Sequence, residues 1–320
     1  MSSFTRGPSN VDDLLTTTLD YYRDTLTENW VNANPITKKM MADGSDELDG
    51  GNDIVENLEY QDNDTAAWVG VSGSVSTTIN QIMTQGKYKW VMLAGSIGIT
   101  DREEAQNKGK SAMLNLMETR VKNLEQTFKA KLETAFGASS TPNLDTMWAL
   151  ADIIDSANPS LGNLGDIDRT ANSWWGAYEF ASGSMSTQGL EDIRTAFLTT
   201  SRGLTDPVNA NITTLTLYSA YSNRLTPFER LARGDKGDLE FDHLTFHGKP
   251  VFYSDSLASG LWLGINTKYL RLRILKTCKF KNQPFVRAAG GISKSAVVEL
   301  MCQLTATRPA SLFKLTGMTA

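Results

Sequence analysis

The longest periodic pattern of apolar and polar positions runs from Thr100 to Gly137 and predicts one helix. Thr100 and Glu103 form a capping box at its start, because each side chain can accept a backbone N–H across the first turn. Gly137 is expected to end the helix in the left-handed conformation. Gly109 is the weak point of the pattern and the expected site of a bend. Apolar residues recur every three or four positions between these ends: Met113, Met117, Val121, Leu124, Phe128, Leu132 and Phe136.

Two elements are predicted near the N-terminus. Residues 10–31 repeat apolar side chains at helical spacing behind a cap at Ser9 or Asn10, and Asn34-Pro35 is expected to end this helix. Residues 42–53 are acidic and rich in glycine, which predicts a flexible connection.

Residues 54–99 read as an extended β-ribbon. Its strand pattern continues through Trp68 and Val75, but the middle is rich in Gly, Ser and Thr. Such a ribbon cannot bury enough apolar area to be stable alone. We therefore expect it to lie against something else, often another subunit.

Helices and strands alternate after the long helix, which predicts a compact α/β subdomain. Its expected elements are a helix capped by Thr187, a strand over 211–217, a helix over 218–232 interrupted at Pro227, and a hairpin over 239–253.

The last fifty residues return to strands. Leu270, Leu272 and Ile274 alternate with arginines, and a second alternating run covers 296–304. Residues 312–315 form the expected last strand, and the long helix is the expected packing partner of these strands.

Length and composition restrict the class of protein. A chain of 320 residues suggests about two domains, and a net charge of −5 argues against a dedicated nucleic-acid binder. The longest apolar run is too short to cross a bilayer, and the N-terminus lacks the apolar core of a signal peptide. We expect a cytoplasmic protein in which Cys278 and Cys302 are free thiols.

Charge is distributed unevenly along the sequence. Residues 41–86 contain nine acidic residues and no Lys or Arg, whereas residues 268–320 contain ten basic residues and the single acid Glu299. The two segments therefore carry about −9 and +9. We expect them to meet, within one chain or between chains, although unrelated solvated faces explain the pattern equally well.

No pattern of catalytic or metal-binding residues stands out. His243 and His247 lie in a strand-like stretch, which would place them roughly 13 Å apart and facing solvent, too far for one metal ion. The acid pairs Asp152/Asp155 and Glu103/Glu104 are explained by helix capping and solvation. Both thiols lack an identifiable base, and no nucleophile elbow or phosphate loop occurs. We expect no enzyme activity, no cofactor and no metal site.

Several stretches resemble the major capsid proteins of tailed bacteriophages, which have the Hong Kong 97-type fold. Gly165-Asp166-Ile167-Asp168-Arg169 followed by Trp174-Trp175 is similar to a Gly-Ile-x-Arg…Trp-Trp stretch in one group of these proteins. Leu244-Thr245-Phe246-His247-Gly248-Lys249-Pro250-Val251 resembles their Phe-x-Gly-x-Pro-Val hairpin. The order of elements agrees along nearly the whole chain, although each motif is loose.

This resemblance implies an α+β fold with four parts. They are an N-terminal arm with an amphipathic helix (1–50), an E-loop (51–99), a P-domain made of the long helix and the tail strands (100–144 and 269–320), and an α/β A-domain (145–268).

The function implied is a major capsid protein that forms the hexamers and pentamers of an icosahedral head around double-stranded DNA. It would be assembled in a bacterial host cytoplasm and kept in the virion, without a membrane. The expected partners are other copies of the chain, a separate scaffolding protein, a portal and a cement or decoration protein. The E-loop has no Lys before Lys87, so the isopeptide cross-linking of the type member is not expected here.

Two alternative functions remain: an encapsulin-like compartment of the same fold that holds cargo enzymes and, remotely, a soluble hydrolase using carboxylates. In the capsid interpretation the candidate inter-subunit contacts are Asp53, Glu56, Glu59, Asp62, Trp68, Lys87, Trp90, Arg169, Trp174, Trp175, Lys276, Lys279 and Lys281.

The charge distribution generates a first prediction about assembly. If the acidic root of the E-loop attracts the basic tail strands of a neighbour, changing Lys276, Lys279 and Lys281 to Glu should weaken assembly, and more so at low salt. Sedimentation of shells across a salt series measures this. Unchanged shell yield at every salt concentration would contradict it.

Overall fold

The computed structural model describes residues 34–106, 116–138, 146–156, 163–232, 244–282, 286–287 and 292–320. The fold is α+β. The described helices are α1 (Pro35–Asp43), α2 (Asp101–Gln106), α3 (Leu116–Gly137), α4 (Leu150–Ile153), α5 (Leu190–Thr200) and α6 (Leu215–Ala232). The described strands are β1 (Ser45–Leu48), β2 (Asp53–Glu59), β3 (Met83–Lys89), β4 (Val91–Thr100), β5 (Tyr178–Ala181), β6 (Ala210–Thr213), β7 (Thr245–Phe246), β8 (Lys249–Tyr253), β9 (Trp262–Ile265), β10 (Leu270–Leu275), β11 (Lys281–Asn282), β12 (Val286–Arg287), β13 (Ser293–Ala306) and β14 (Phe313–Thr316).

Packing divides the chain into two compact units. The smaller contains Leu93–Ala130 and Cys278–Leu300, and the larger contains Asn34–Met92, Lys131–Thr277 and Met301–Ala320. In the smaller unit β11 and β12 each pair antiparallel with β13. The four-part division implied by the resemblance stays a prediction.

In the larger unit, β10 connects β1 to the end of β13. β1 runs parallel to β10, and β10 runs antiparallel to β13, with Leu270 opposite Ala306 and Ile274 opposite Cys302. Leu270, Leu272 and Ile274 are buried while the residues between them are half-buried. The strands expected from this alternation are confirmed.

The second sheet of the larger unit has the strand order β5-β14-β9-β6-β8-β7. Its apolar core joins the sheet to α5 and α6 through Phe197, Tyr221, Trp262 and Phe313, all at most 2% exposed. Gly264 is required here, because a Cβ at this position would lie 2.1 Å from the Phe313 ring. The sheet contains β5 to β9, which lie in the predicted α/β part, and it also contains β14, which was expected to pack on the long helix with the other tail strands.

Several predictions about β6, α5 and α6 are wrong in detail. The strand expected over 211–217 is Ala210–Thr213, and α6 begins at Leu215 and continues past Pro227 without interruption. Burial of Leu217 and Tyr221 in the core cluster outweighs the hydrogen bond that a proline removes. Ahead of α5, the Ser184 side chain, and not that of Thr187, accepts the capping N–H, from Ser186.

The expected ends of the long helix are found in part. Thr100 N donates to Glu103 Oε2 (3.0 Å) and Glu103 N donates to Thr100 Oγ1 (3.3 Å), which confirms the capping box. α3 ends at Gly137 as expected. Gly137 is not in the left-handed region, however; a Cβ there would lie 2.3 Å from the Ser256 carbonyl oxygen. Continuity of the helix through 107–115, the bend at Gly109 and the helix over 10–31 lie outside the described residues.

The flexible connection expected over 42–53 is wrong, because strand β1 lies within it. Leu272 N donates to Gly44 O (2.6 Å), and Asp46 is paired with Arg273. Asp46 is therefore paired with a basic strand of the sheet. Asn34-Pro35 also begins a helix, α1, with proline in its first turn.

The start of α1 is bound by a buried carboxylate from α3. Glu133 is 3% exposed and accepts hydrogen bonds from Thr37 N (2.8 Å), Thr37 Oγ1 (2.9 Å), Ile36 N (3.3 Å) and Ser254 Oγ (2.6 Å). Every one of these partners is a donor, and the helix dipole of α1 adds positive potential at the same end. Glu133 thereby joins the N-terminal helix, α3 and the residue that follows β8.

We predict that Glu133→Gln lowers the free energy of unfolding by about 2–3 kcal/mol, because the new amide NH₂ would face donors in a buried position. Glu125→Gln on the exposed face of α3 is the matched control and should change it little. Urea unfolding measures both. Equal stability of the two variants would contradict this role.

Asp206 fixes two segments that connect the sheets of the larger unit. Its carboxylate accepts from Lys268 Nζ (2.7 Å) and Tyr269 OH (2.6 Å) between β9 and β10, and from Arg308 Nη1 (3.4 Å) between β13 and β14. The hydrogen bonds from Lys268 and then Tyr269 lower the pKa of Asp206.

This lowered pKa predicts an acid-dependent loss of stability. A carboxyl group whose pKa is lower in the folded state stabilises the fold above its unfolded pKa of about 3.9, and loses that contribution as the pH falls through the folded pKa. Asp206→Asn should therefore be less stable than the wild type at neutral pH, with the difference shrinking below about pH 4. Urea unfolding at several pH values measures it; a difference independent of pH would argue against the ion pair.

Candidate assembly arm and its root

Strands β2 and β3 form an antiparallel hairpin that pairs with no other described strand. The register runs from Asp53 opposite Lys89 to Glu59 opposite Met83. We call residues 53–89 the arm, residues 60–82 the arm tip, and the paired strands the arm root. No strand is assigned in the arm tip between Tyr60 and Ile82, so the expected pairing through Trp68 and Val75 is wrong. Its Gly, Ser and Thr residues offer too little apolar area to hold a strand in place.

The arm tip exposes its apolar side chains almost completely. Trp68, Val71 and Ile79 are 105%, 110% and 97% exposed, and Val75 is 62% exposed. Acidic residues Asp62 and Asp64 lie beside them, also exposed. Several large apolar side chains exposed in one short segment are typical of a surface that is covered by a partner.

The arm root lies on a row of polar residues that crosses three strands. Asp46 of β1 is the register partner of Arg273 on β10, which is the partner of Gln303 on β13. Arg273 binds Glu56 of the arm through Nε (2.8 Å) and Nη2 (3.0 Å), and Asp46 through Nη1 (2.5 Å). Gln303 Nε2 donates to Lys89 O (3.0 Å). The arm is thus attached by directional, charge-assisted contacts at its base.

Tyr88 adds an apolar contact to the same attachment. Its ring is 2% exposed and its hydroxyl donates to Ala306 O (2.9 Å). Gly165 has a φ of 60°, and a Cβ there would come within 3.1 Å of the Tyr88 ring. Burial raises the pKa of Tyr88 far above its ordinary value, so the phenol remains a hydrogen-bond donor.

The acidic and basic segments therefore meet within one chain. Besides Glu56 and Asp46, Asp49 pairs with Lys276 (3.4 Å), with side chains 91% and 65% exposed. Such an exposed pair contributes at most about 1 kcal/mol. Glu56, by contrast, is only 7% exposed and is occupied by Arg273, so it is not available to a neighbouring subunit.

Two further candidate contacts are internal. Arg169 is 3% exposed and donates to Asp152 O (2.9 Å), and burial lowers its pKa. Trp175 is 1% exposed and its Nε1 donates to Leu164 O (2.8 Å). Both residues therefore hold the fold together from inside it, although they were predicted as candidate contacts with another copy. Trp174 is half-buried and stacks on Tyr60 at 5.4 Å between ring centroids.

The remaining candidates lie at or near the surface. Trp90 is half-buried and its Nε1 donates to Gly51 O (3.0 Å), and Asp53 is also half-buried. The exposed ones are Glu59, Asp62, Trp68, Lys87, Lys276, Lys279 and Lys281. Their contacts with a second copy stay a prediction.

The acid pair Asp152/Asp155, which helix capping and solvation were expected to explain, is buried, although Asp152 does lie in the first turn of α4. Asp155 binds Lys314 Nζ (2.8 Å), which also contacts Glu179 (3.0 Å), and Asp152 is 1% exposed. Four side chains that bind segments distant in sequence were not predicted: Glu133, Asp206, Gln303 and Lys314. Lys314 in an otherwise apolar strand was the one available signal, since an internal strand residue that is charged needs a partner.

The described residues contain no group of three or more His, Cys, Asp or Glu side chains arranged for a metal ion. His247 was expected in a strand, but it lies in the β7–β8 turn with a φ of 47° and stacks on Phe197. His243 lies outside the described residues. Burial raises the pKa of Cys302 to about 12, which leaves it an unreactive thiol. Within the described ranges no helix is both long and apolar enough to cross a membrane.

Comparison with known proteins assigns the fold. No protein-family model and no curated protein sequence matches the chain. Solved capsid structures do match: that of cyanophage A-1(L) has a TM-score of 0.67 at 13% identity and covers 93% of this chain and 96% of its own.

Two other solved structures match over a similar extent. The holo-SrpI encapsulin complex of Synechococcus elongatus PCC 7942 has a TM-score of 0.56 at 11% identity, covering 97% of this chain and 96% of its own. The procapsid of satellite phage P4, which includes the size determination protein Sid, has a TM-score of 0.50 at 10% identity, covering 96% and 97%. The chain has the α+β fold of phage capsid proteins, as the resemblance predicted.

Proposed function

We propose that this protein is a major capsid protein that assembles into the hexamers and pentamers of an icosahedral phage head around double-stranded DNA. The observation that carries the proposal is the arm tip, whose exposed Trp68, Val71 and Ile79 need a partner surface. The capsid fold supplies the context, because its solved examples are shell subunits.

The partner surface that fits the arm tip best is the smaller unit of another copy. Val286 and Ile292 are 64% and 76% exposed there. Lys279 and Lys281 add positive charge on the same unit, opposite in sign to Asp62 and Asp64 of the tip. Apolar contact would supply affinity, and the opposite charges would supply register and association rate.

Several finer roles are part of this proposal. We divide the chain as the resemblance implies, into residues 1–50, 51–99, 100–144 with 269–320, and 145–268. We also propose a scaffolding partner, which the Sid-containing procapsid with this fold supports, together with a portal, a cement protein and non-specific proximity to DNA. The protein would act in the virion without a cofactor, a membrane or an enzyme activity, after assembly in the host cytoplasm.

An encapsulin-like compartment is the second candidate function, favoured by the likeness to the SrpI complex. The two functions differ in what the shell encloses. Electron microscopy of the expressed protein, followed by analysis of the contents of purified shells, separates them: nuclease-protected DNA or scaffolding protein supports the capsid, and packed enzyme cargo supports the compartment. Finding no shell would contradict both.

The arm tip yields a direct prediction. Trp68→Asp, Val71→Asp and Ile79→Asp together should abolish shell formation, because they replace the apolar contact area with charge, yet they should leave the unfolding midpoint unchanged since these side chains are exposed. Sedimentation and electron microscopy measure assembly.

The matched control adds the same charge to the same tip while keeping its apolar side chains, through Ser72→Asp, Ser74→Asp and Thr77→Asp. All three positions are exposed. We expect this control to retain shells. Shells of normal yield from the apolar-site variant would show that the arm tip is not an assembly contact.

A further inference from the structure

A segment near the N-terminus and the arm are attached to the same side chain. We call α1 and β1, residues 35–48, the strap. Glu133 holds its start, and the Asp46–Arg273 pair holds its end. The same guanidinium uses its other edge, Nε and Nη2, to bind Glu56 of the arm.

The position of this guanidinium makes the two attachments interdependent. The Arg273 side chain is 16% exposed and that of Glu56 is 9% exposed, so removing one carboxylate leaves a largely buried charge short of a partner. Glu56 Oε1 also accepts from Thr305 Oγ1 (3.0 Å), which fixes the carboxylate itself. The guanidinium plane is rigid, so a shift that improves one pair worsens the other.

Apolar packing at the arm root does not fix the angle of the hairpin. Ile54, Leu58 and Tyr88 bury their side chains there and give the attachment strength. Burial of apolar area is non-directional, however, and tolerates a change in the angle of the hairpin. The angle is determined by the directional contacts, which are the bidentate Arg273–Glu56 ion pair and the hydrogen bonds from Tyr88 OH to Ala306 O and from Gln303 Nε2 to Lys89 O.

We propose that Arg273 is a coupling residue through which the strap controls the orientation of the arm. With Asp46 in place, the guanidinium is held in the plane that Glu56 requires, and the arm keeps one angle. When the strap separates from β10, Arg273 is free to turn and the arm root loosens. The reverse also holds, since coupling between two attachments is reciprocal.

Hydrogen–deuterium exchange of the purified full-length protein tests this coupling. Asp46→Asn should make the paired amides of the arm root, residues 54–58 and 84–88, exchange about tenfold faster, because a charge-assisted contact that orients Arg273 is lost. Glu56→Gln should accelerate the strap amides 45–48 by a similar factor, although Glu56 lies in a different strand.

Asp49→Asn is the matched control, with the same chemical change three positions further along the chain. Asp49 pairs only with the exposed Lys276 among the described contacts, and its change should leave the exchange rates of the arm root unaltered. Asp46→Asn keeps the backbone pairing of β1, and its side chain is 39% exposed, so this variant is expected to fold even if Glu56→Gln does not.

Two results would overturn the proposal. One is faster exchange confined to the strap in Asp46→Asn with the arm root unchanged, which would make the attachments independent. The other is the same arm-root exchange rates in Asp46→Asn and Asp49→Asn. Because the measurement concerns contacts within one chain, either result would leave the proposed assembly function standing.

Discussion

The larger unit depends on buried charged side chains, each of which forms hydrogen bonds or ion pairs with particular partners. Glu133 gathers four donors from α1 and the end of β8, Arg273 joins β1 to the arm, and Lys314 binds Asp155 and Glu179. A buried charge without its partners is costly, so each of these groups selects one arrangement of the segments it touches. The apolar core of the second sheet supplies stability, and these charges supply the positions of the segments around it.

The arm differs from the rest of the larger unit because its root is held by buried contacts and most of its tip is exposed. Its root is fixed by Arg273, Gln303 and Tyr88, whereas its tip leaves Trp68 and Val71 exposed to water. A single chain gains nothing from that arrangement. In the proposed shell, each arm would complete the surface of a neighbouring copy, held in a fixed direction by its root.

The sequence predicted the elements whose information is local. Alternation identified β10 and β13, the Thr100–Glu103 capping box was read correctly, and the order of elements led to the α+β capsid fold. Failures occurred where a distant residue decides the outcome. The acidic segment 42–53 looks like a loop in the sequence, because the partner of Asp46, Arg273, lies far along the chain. Gly137 is needed because a Cβ there would collide with the Ser256 carbonyl oxygen, and not because of its own φ.

The candidate site was predicted in the same partial way. The exposed tip residue Trp68 was named, but Glu56, Arg169 and Trp175 were taken for surface contacts although they are buried. Residue type does not distinguish an arginine that binds another subunit from one that binds a carbonyl group within its own fold. Gln303 and Glu133 carry no local signal, since their role arises only when four separate segments converge.

The absence of lysine and arginine from residues 41–86 has a consequence for how an unassembled subunit survives. Exposed loop tips are the preferred places for proteases to cut a folded protein. Enzymes that cleave after basic residues find no site between Lys39 and Lys87, so they cannot cut the tip although most of its residues are exposed. Enzymes that cleave after aromatic residues meet Trp68 at once. The arm tip is thus protected from one class of protease by its composition alone.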